Sequence, residues 1–283
     1  MKCYICGSSA ISRREGEVRD APDIEICECD NCGLVFLESL VHIQDGFYEE
    51  SGMHGDEVQS MDAWLNETSR DDDRRFSLVK EMLLNKRVLD FGCGSGGFLQ
   101  RAKGLAAEVV GIELEARVRE YWSGRIKIFP DLDSVGEDFD LVTSFHVLEH
   151  IKDPREVLKQ LAKKMKLGKS RLVLEVPSAD DVLMSLYDCD AFQRFTYWSQ
   201  HLFLFNAANL ALLAKQTGLS VVAVQHYQRY PLSNHLYWLS QGRPGGHSEW
   251  SFLDTSVLTN AYADALSALG KTDTLIINLE RGE

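Results

Sequence analysis

The 283-residue chain has no apolar run approaching the roughly 18 residues of a membrane span. It has no basic excess either: 30 Lys and Arg stand against 43 Asp and Glu, a net charge of −13. Nucleic-acid backbones and anionic membranes are bound by clustered Lys and Arg, so neither is an expected partner. There is no internal repeat, low-complexity tract or interdomain linker. The first twenty residues lack the apolar core of a signal peptide, and a cytoplasmic location is the expectation. Hydrophobic residues make up 45% of the chain, enough for a full core, and the length suits one core domain plus a small accessory unit.

Cysteine is nearly absent beyond residue 32, where only Cys93 and Cys189 occur. The other five, Cys3, Cys6, Cys27, Cys29 and Cys32, crowd the N-terminus. In a cytosolic chain that clustering points to metal rather than disulfides. Cys3-x-x-Cys6-Gly7 and Cys29-x-x-Cys32-Gly33 are matching knuckles. Each Gly permits the turn that aims backbone N–H groups at thiolate sulfur, and four thiolates suit a tetrahedral, structural zinc ion. Ile24 and Ile26 alternate as in a strand, and Leu34 to Leu37 forms the return. Residues 1–40 thus resemble a zinc ribbon. Cys27 has no Gly at the knuckle position and is left out.

Residues 41–84 read as a connector and a helix. The stretch Gly46-Phe47-Tyr48-Glu49-Glu50-Ser51-Gly52 fits a loop over a cofactor or aromatics packed on the ribbon. From Trp64 to Leu84 the period is helical, with Phe76, Val79, Leu83 and Leu84 on one face. Arg70 to Arg75 reads as a solvated part of that helix.

The rest is organised around Arg87-Val88-Leu89-Asp90-Phe91-Gly92-Cys93-Gly94-Ser95-Gly96-Gly97. Val88, Leu89 and Phe91 predict a buried strand, the glycines a tight turn, and Phe98-Leu99 the opening of a helix. A helix N-terminus at the carboxyl edge of a parallel sheet is a cofactor cradle. The glycines alone leave the cofactor open. Gly92-x-Gly94-x-x-Gly97 matches the dinucleotide fingerprint. Asp90 followed by Gly92-x-Gly94-x-Gly96 instead suits a cationic cofactor, because a carboxylate there would repel a pyrophosphate. Glu113 ends the second predicted strand, 23 residues past Asp90, where an acidic side chain accepts hydrogen bonds from ribose hydroxyls.

Downstream, Phe139 to Phe145 predicts the fourth strand, followed by His146-Val147-Leu148-Glu149-His150. Asp153, Pro154 and Glu156 mark a capped helix start. Arg171 to Val176 is a further strand. Residues 179–205 are rich in aromatic rings and form a candidate substrate wall. Leu219 to His226 is the sixth strand, and Thr274 to Leu279 the last. The long return between them, 229–271, is an insertion of the kind that serves function or interfaces.

Leu89-Asp90-Phe91-Gly92-Cys93-Gly94-Ser95-Gly96, Gly111-Ile112-Glu113, Phe139-Asp140-Leu141-Val142 and Val147-Leu148-Glu149-His150 together resemble the class I methyltransferases that use S-adenosylmethionine. The resemblance covers about residues 85–279, within a domain of 85–283. It implies an α/β, doubly wound (Rossmann-like) seven-stranded sheet in the order 3-2-1-4-5-7-6. It implies S-adenosylmethionine bound by Asp90, Gly92, Cys93, Gly94, Gly96, Glu113, Leu114, Asp131 and Phe145, with Asp131 at the adenine amino group.

A cysteine ribbon before such a domain resembles methyltransferases of deoxysugar and surface-polysaccharide biosynthesis, and also some ribosomal RNA methyltransferases. The acidic charge favours a small-molecule acceptor, a hydroxyl of a nucleotide-linked or polysaccharide sugar, over RNA. A non-catalytic protein that binds S-adenosylmethionine is the alternative from another class. The insertion offers a homodimer surface. A hydroxyl acceptor must lose a proton, which calls for a base near neutral pKa. His201, in the aromatic segment, is the expected base; His146, after the fourth strand, is a candidate for a cofactor or substrate role, and His150 reads as structural. Sugar methyltransferases carry Glu-His where this chain has Gln200-His201, so the expected carboxylate is missing. That departure favours O-methylation over carbon-acid chemistry.

Overall fold

The computed structural model describes residues 1–43 and 59–282. The Gly46–Gly52 stretch, with its two readings, lies outside the described residues. The N-terminal strands β1 (Ile11–Arg13), β2 (Ile26–Cys29) and β3 (Val35–Leu37) pair antiparallel. Helix α1 (Met61–Leu83) follows, capped by the Ser60 side chain.

The main body then alternates strand and helix: β4 (Arg87–Phe91), α2 (Gly97–Ala102), β5 (Glu108–Ile112), α3 (Ala116–Trp122), β6 (Lys127–Phe129), β7 (Leu141–Phe145), α4 (Pro154–Lys164) and β8 (Arg171–Pro177). Two short helices, α5 (Val182–Ser185) and α6 (Asp190–Thr196), lead to β9 (Phe203–Leu204). Next come α7 (Ala207–Gln216), β10 (Leu219–Tyr227), α8 (Leu232–Gln241), α9 (Gly246–Glu249), α10 (Ser256–Leu269) and β11 (Thr274–Arg281). Among the described residues no helix is long and apolar enough to cross a membrane.

Seven strands form one sheet in the order β10-β11-β8-β7-β4-β5-β6. Read from the other edge, this is the 3-2-1-4-5-7-6 order that the family resemblance implies. Strands β4 to β8 are parallel and β11 runs antiparallel to both neighbours. Burial on both faces explains the near-continuous apolar runs of β4, β7 and β8. Order reverses between β4 and β7, and ligand crevices form at such a switch point, outside the carboxyl ends of the strands.

The N-terminal sheet is not self-contained. β9 pairs antiparallel with β3, Val35 opposite Leu204 and Phe36 opposite Phe203, and so closes it as a four-stranded sheet. The buried cluster runs without a break from Cys3, Ile5 and Leu34 through Phe203 and Phe205 to Leu210 and Leu213 of α7. Polar bonds reinforce the joint. Arg14 donates to the Tyr197 hydroxyl at 2.8 Å and to the Ala179 carbonyl at 2.9 Å. Arg155 reaches the Tyr4 carbonyl at 2.7 Å, and Gln216 the Ile5 carbonyl at 2.9 Å.

Asn206 sits at the centre of this joint. Its side chain accepts from the Asn209 amide at 2.8 Å while the Asn209 side chain accepts from the Asn206 amide at 3.1 Å, a complete capping box for α7. Asn206 and Asn209 also donate to the Cys32 carbonyl, at 3.0 and 3.3 Å. Loss of an N-cap alone costs ~1–2 kcal/mol. Asn206→Ala should therefore lower the unfolding free energy in urea by at least about 1 kcal/mol. A change below about 0.3 kcal/mol would show that the joint does not depend on this cap.

Candidate functional site

Two adjoining cavities open at the carboxyl edge of the sheet. The larger, about 420 Å³, is framed by the glycine loop after β4, the end of β5, and the inner face of α1. The loop must turn sharply: Gly92 has φ +71°, and a Cβ there would lie 2.4 Å from Val147 Cγ2. Gly96, at φ +81°, is the N-cap of α2, and a Cβ would meet the Trp122 indole at 2.4 Å. It stands behind the cavity rather than in it. Of the other residues expected at a cofactor, Asp90, Gly92, Cys93, Gly94, Glu113, Leu114, Asp131 and Phe145 all line it.

Their chemistry differs. Asp90 is 2% exposed and accepts from the Thr143 hydroxyl at 2.7 Å. Burial pushes its pKa up to about 7. Glu113 accepts from the amides of Gly94 at 2.8 Å and Glu115 at 3.1 Å, which fixes its carboxylate beside the loop. Asp131 is exposed, and its Oδ1 accepts from the amide and hydroxyl of Ser134, each at 2.8 Å. Its side chain is thus already bound into the next turn.

The Arg70–Arg75 run departs from its sequence reading. Asp72 is buried and accepts from the Thr68 hydroxyl at 2.9 Å. Arg74 grips Glu175 of β8 with two nitrogens, at 2.7 and 2.8 Å, and Arg75 donates to the same carboxylate at 2.9 Å. Arg229 closes the network onto Asp71. Glu175 is fully buried, and burial alone would raise its pKa. The bonds from His146 and Arg74 and the charge of Arg75 hold it well below the usual carboxylate range. A solvated helix face and a face paired with a buried acid elsewhere have the same local sequence, so periodicity could not separate them. One signal was present: Glu175 interrupts the apolar run Leu172–Val176.

The second cavity, about 290 Å³, lies between α5–α6, the segment after α6, and the insertion. Phe192, Phe195 and Trp198 form one wall and Trp238 of α8 another. Phe203 and Phe205, by contrast, are packed into the joint with the N-terminal sheet. His201 faces this second cavity, its ring 4.9 Å from that of His150. Burial, with the charge of His150, pulls its pKa down to about 3, so it stays neutral.

His146 lines both cavities. It adopts φ +55°, a left-handed conformation that is strained for a non-glycine residue. Its Nδ1 is 3.1 Å from Glu149 and its Nε2 is 3.2 Å from Glu175. Burial lowers its pKa, but the bonds to the two carboxylates outweigh that and raise it above the ordinary value. Glu149 supplies a carboxylate near His201 that the Gln200-His201 pair lacks. Burial would raise the Glu149 pKa, but the His146 bond and the neighbouring imidazoles bring it to about 2.

The N-terminal cysteines gather as their spacing predicts. The sulfurs of Cys3, Cys6, Cys29 and Cys32 lie within 4.8 Å of one another, with Cys3 to Cys32 at 3.6 Å and Cys6 to Cys29 at 3.5 Å. A tetrahedron with Zn–S bonds of ~2.3 Å has sulfurs about 3.8 Å apart, so the set fits zinc. Cys27 is buried in β2 and is not part of the cluster.

Comparison with known proteins gives one family. A model described as a methyltransferase domain matches residues 61–224. A ubiquinone biosynthesis O-methyltransferase of Idiomarina loihiensis is 36% identical over 98 residues, 30% of this chain and 40% of that protein. One from Thiobacillus denitrificans is 35% identical over 99 residues, 30% of this chain and 42% of that protein. The chain spans about two fifths of the length of these curated relatives. The fold is similar to the solved complex between the Haloferax volcanii Trm112 methyltransferase activator and a methyltransferase, with a TM-score of 0.52, 16% identity, 80% of this chain and 100% of that one covered.

The buried Asp90 carboxylate has a measurable stability cost. Its folded pKa of about 7 exceeds the unfolded value near 3.9, so stability is lost as pH rises between the two and stays lost above. The full difference is on the order of 4 kcal/mol. Asp90→Asn should raise the urea midpoint at pH 8 by more than at pH 5. An equal gain at both values would show that Asp90 is not a strained carboxylate.

Proposed function

The chain belongs to the methyltransferase-domain family, and on that premise we propose that it methylates a hydroxyl of a small-molecule acceptor, with S-adenosylmethionine as donor. The larger cavity suits the donor. Asp90 is a buried acid that a sulfonium or ammonium would keep ionised, Glu113 stands at the ribose position, and the glycine turn leaves space a Cβ would fill. S-adenosylmethionine, when bound, supplies an already activated methyl group. The protein's part is then position and proton removal. The observation that carries the reading is the placement of His146, which lines both cavities and so stands where donor and acceptor must meet.

His146 takes the acceptor proton at Nε2, which gives up its Glu175 contact to receive it, while Glu149 orients the ring through Nδ1. His201, held neutral, faces the acceptor as a hydrogen-bonding group. The −13 charge supports a small molecule over RNA. Relatives named for ubiquinone biosynthesis support O-methylation. The finer reading of a nucleotide-linked or polysaccharide sugar rests on the ribbon in front of the domain. One structural zinc ion on Cys3, Cys6, Cys29 and Cys32 completes the assignment.

An acceptor panel, with ubiquinone precursors and nucleotide-linked sugars included, should reveal S-adenosylhomocysteine release. With any acceptor found, His146→Gln should lower kcat by ~10²–10⁴-fold. The acidic limb of the kcat profile should fall above pH 6.5, because His146 must be deprotonated and its pKa is raised. Glu149→Gln should shift that limb to lower pH. If His201→Gln removes the limb and His146→Gln leaves it, the two histidines have the opposite roles.

Elemental analysis should find about one zinc per chain. Cys29→Ser should lose it and Cys27→Ser should keep it. Zinc retained in Cys29→Ser would overturn the ligand set.

A further inference from the structure

One residue of the N-terminal module reaches the second cavity. Arg19, on the segment between β1 and β2, lines it together with His146, Trp198 and His201. Its amide donates to the Tyr197 carbonyl at 3.0 Å, and the neighbouring Asp20 accepts from the amide and hydroxyl of Ser199, at 2.9 and 2.7 Å. The loop is therefore pinned to the aromatic wall. The guanidinium carbon lies 4.9 Å from the Phe195 ring and 4.9 Å from the Trp198 ring. Cation–π contact with two rings fixes the group without neutralising it.

Its charge is unmatched in a chain where acids outnumber bases. Among the described residues no carboxylate lies within ion-pair distance of Arg19, whereas Arg74, Arg75 and Arg229 around the same site each have one. The acids that line the cavity are turned elsewhere. Asp273 accepts from the amides of Arg229 and Tyr230, each at 3.0 Å, from Gln228 at 2.7 Å and from the Thr274 hydroxyl at 2.8 Å. Asp181 caps α5 through the Leu183 amide at 2.7 Å. An exposed guanidinium held against two rings, with no carboxylate paired to it among the described residues, is a fork for phosphate or carboxylate oxygens.

We propose that Arg19 docks an anionic group, phosphate or carboxylate, carried by the acceptor at the end away from the methylated hydroxyl. The N-terminal module then takes part in choosing the acceptor. The inference rests on the second cavity being the acceptor site. The rings beside Arg19 suit an acceptor whose body is a ring or another flat apolar surface.

The test uses the full zinc-loaded chain saturated with S-adenosylhomocysteine, titrated by calorimetry with phenyl phosphate, benzoate and benzyl alcohol. Phenyl phosphate or benzoate should bind at least tenfold more tightly than benzyl alcohol, and the tighter anion identifies the group. Arg19→Gln should weaken that anion at least tenfold, Arg19→Lys should keep part of the affinity, and S-adenosylhomocysteine affinity should stay the same in both. Anion binding that is absent, equal to that of the alcohol, or unchanged in Arg19→Gln overturns the proposal while S-adenosylhomocysteine still binds. A wild-type chain that binds no S-adenosylhomocysteine overturns the reading of the cavities, and this inference with it.

Discussion

The site depends on one buried carboxylate. Glu175 lies at the end of β8 with no exposed surface, and an isolated charge there would be prohibitive. It is stable because Arg74 and Arg75 of α1 and His146 after β7 all converge on it. Three segments distant in sequence are thereby held at one point. The same bonds fix the His146 ring, anchor α1 across the mouth of the larger cavity, and through Asp71 hold Arg229 at the root of the insertion. Removing one partner of such a group leaves the others buried without compensation, which is far more costly than the pair itself is worth.

Much of this was legible beforehand, and the limits have physical causes. The glycine loop and the strand that Glu113 ends follow from short local patterns, where period and turn chemistry decide, and the strand order is what the family resemblance implies. The four knuckle cysteines are visible because their ligand chemistry constrains spacing. The network around Glu175 is different: its members lie up to 158 residues apart, and each one other than Glu175 reads alone as an ordinary surface charge. Asp72 and Arg75 therefore escaped notice as cavity-lining groups. That His146 lines two cavities at once was also hidden, since no local motif announces it. Of the aromatic segment, sequence gave the wall but not which rings turn inward. Phe203 and Phe205 pack toward the N-terminal sheet, where β9 pairs with β3, a contact that no local signal announces.

That pairing changes what the N-terminal module is. A ribbon connected only by a linker would be a separate unit with its own role. Here its core continues into α7, its Cys32 carbonyl helps to cap that helix, and its Arg14 and Arg19 reach the segment that carries His201. A metal bound to the four thiolates would thus stiffen one side of the second cavity without touching it.

The closure of that first sheet by β9 also has a consequence in time. Residues 1–37 leave the ribosome long before Phe203 and Leu204 exist. At about 5–20 residues per second, the delay is on the order of ten to thirty seconds. Throughout it β3 presents an unpaired edge, Val35-Phe36-Leu37, apolar and open to pairing with any other nascent strand. The sequence has local means for this interval: the three strands are short, and the acidic residues Glu25, Glu28, Asp30 and Glu38 lie close to β3 along the chain. Charges beside an exposed edge disfavour pairing with other chains, so the acidity of this segment has its physical consequence before the fold that covers β3 has been made.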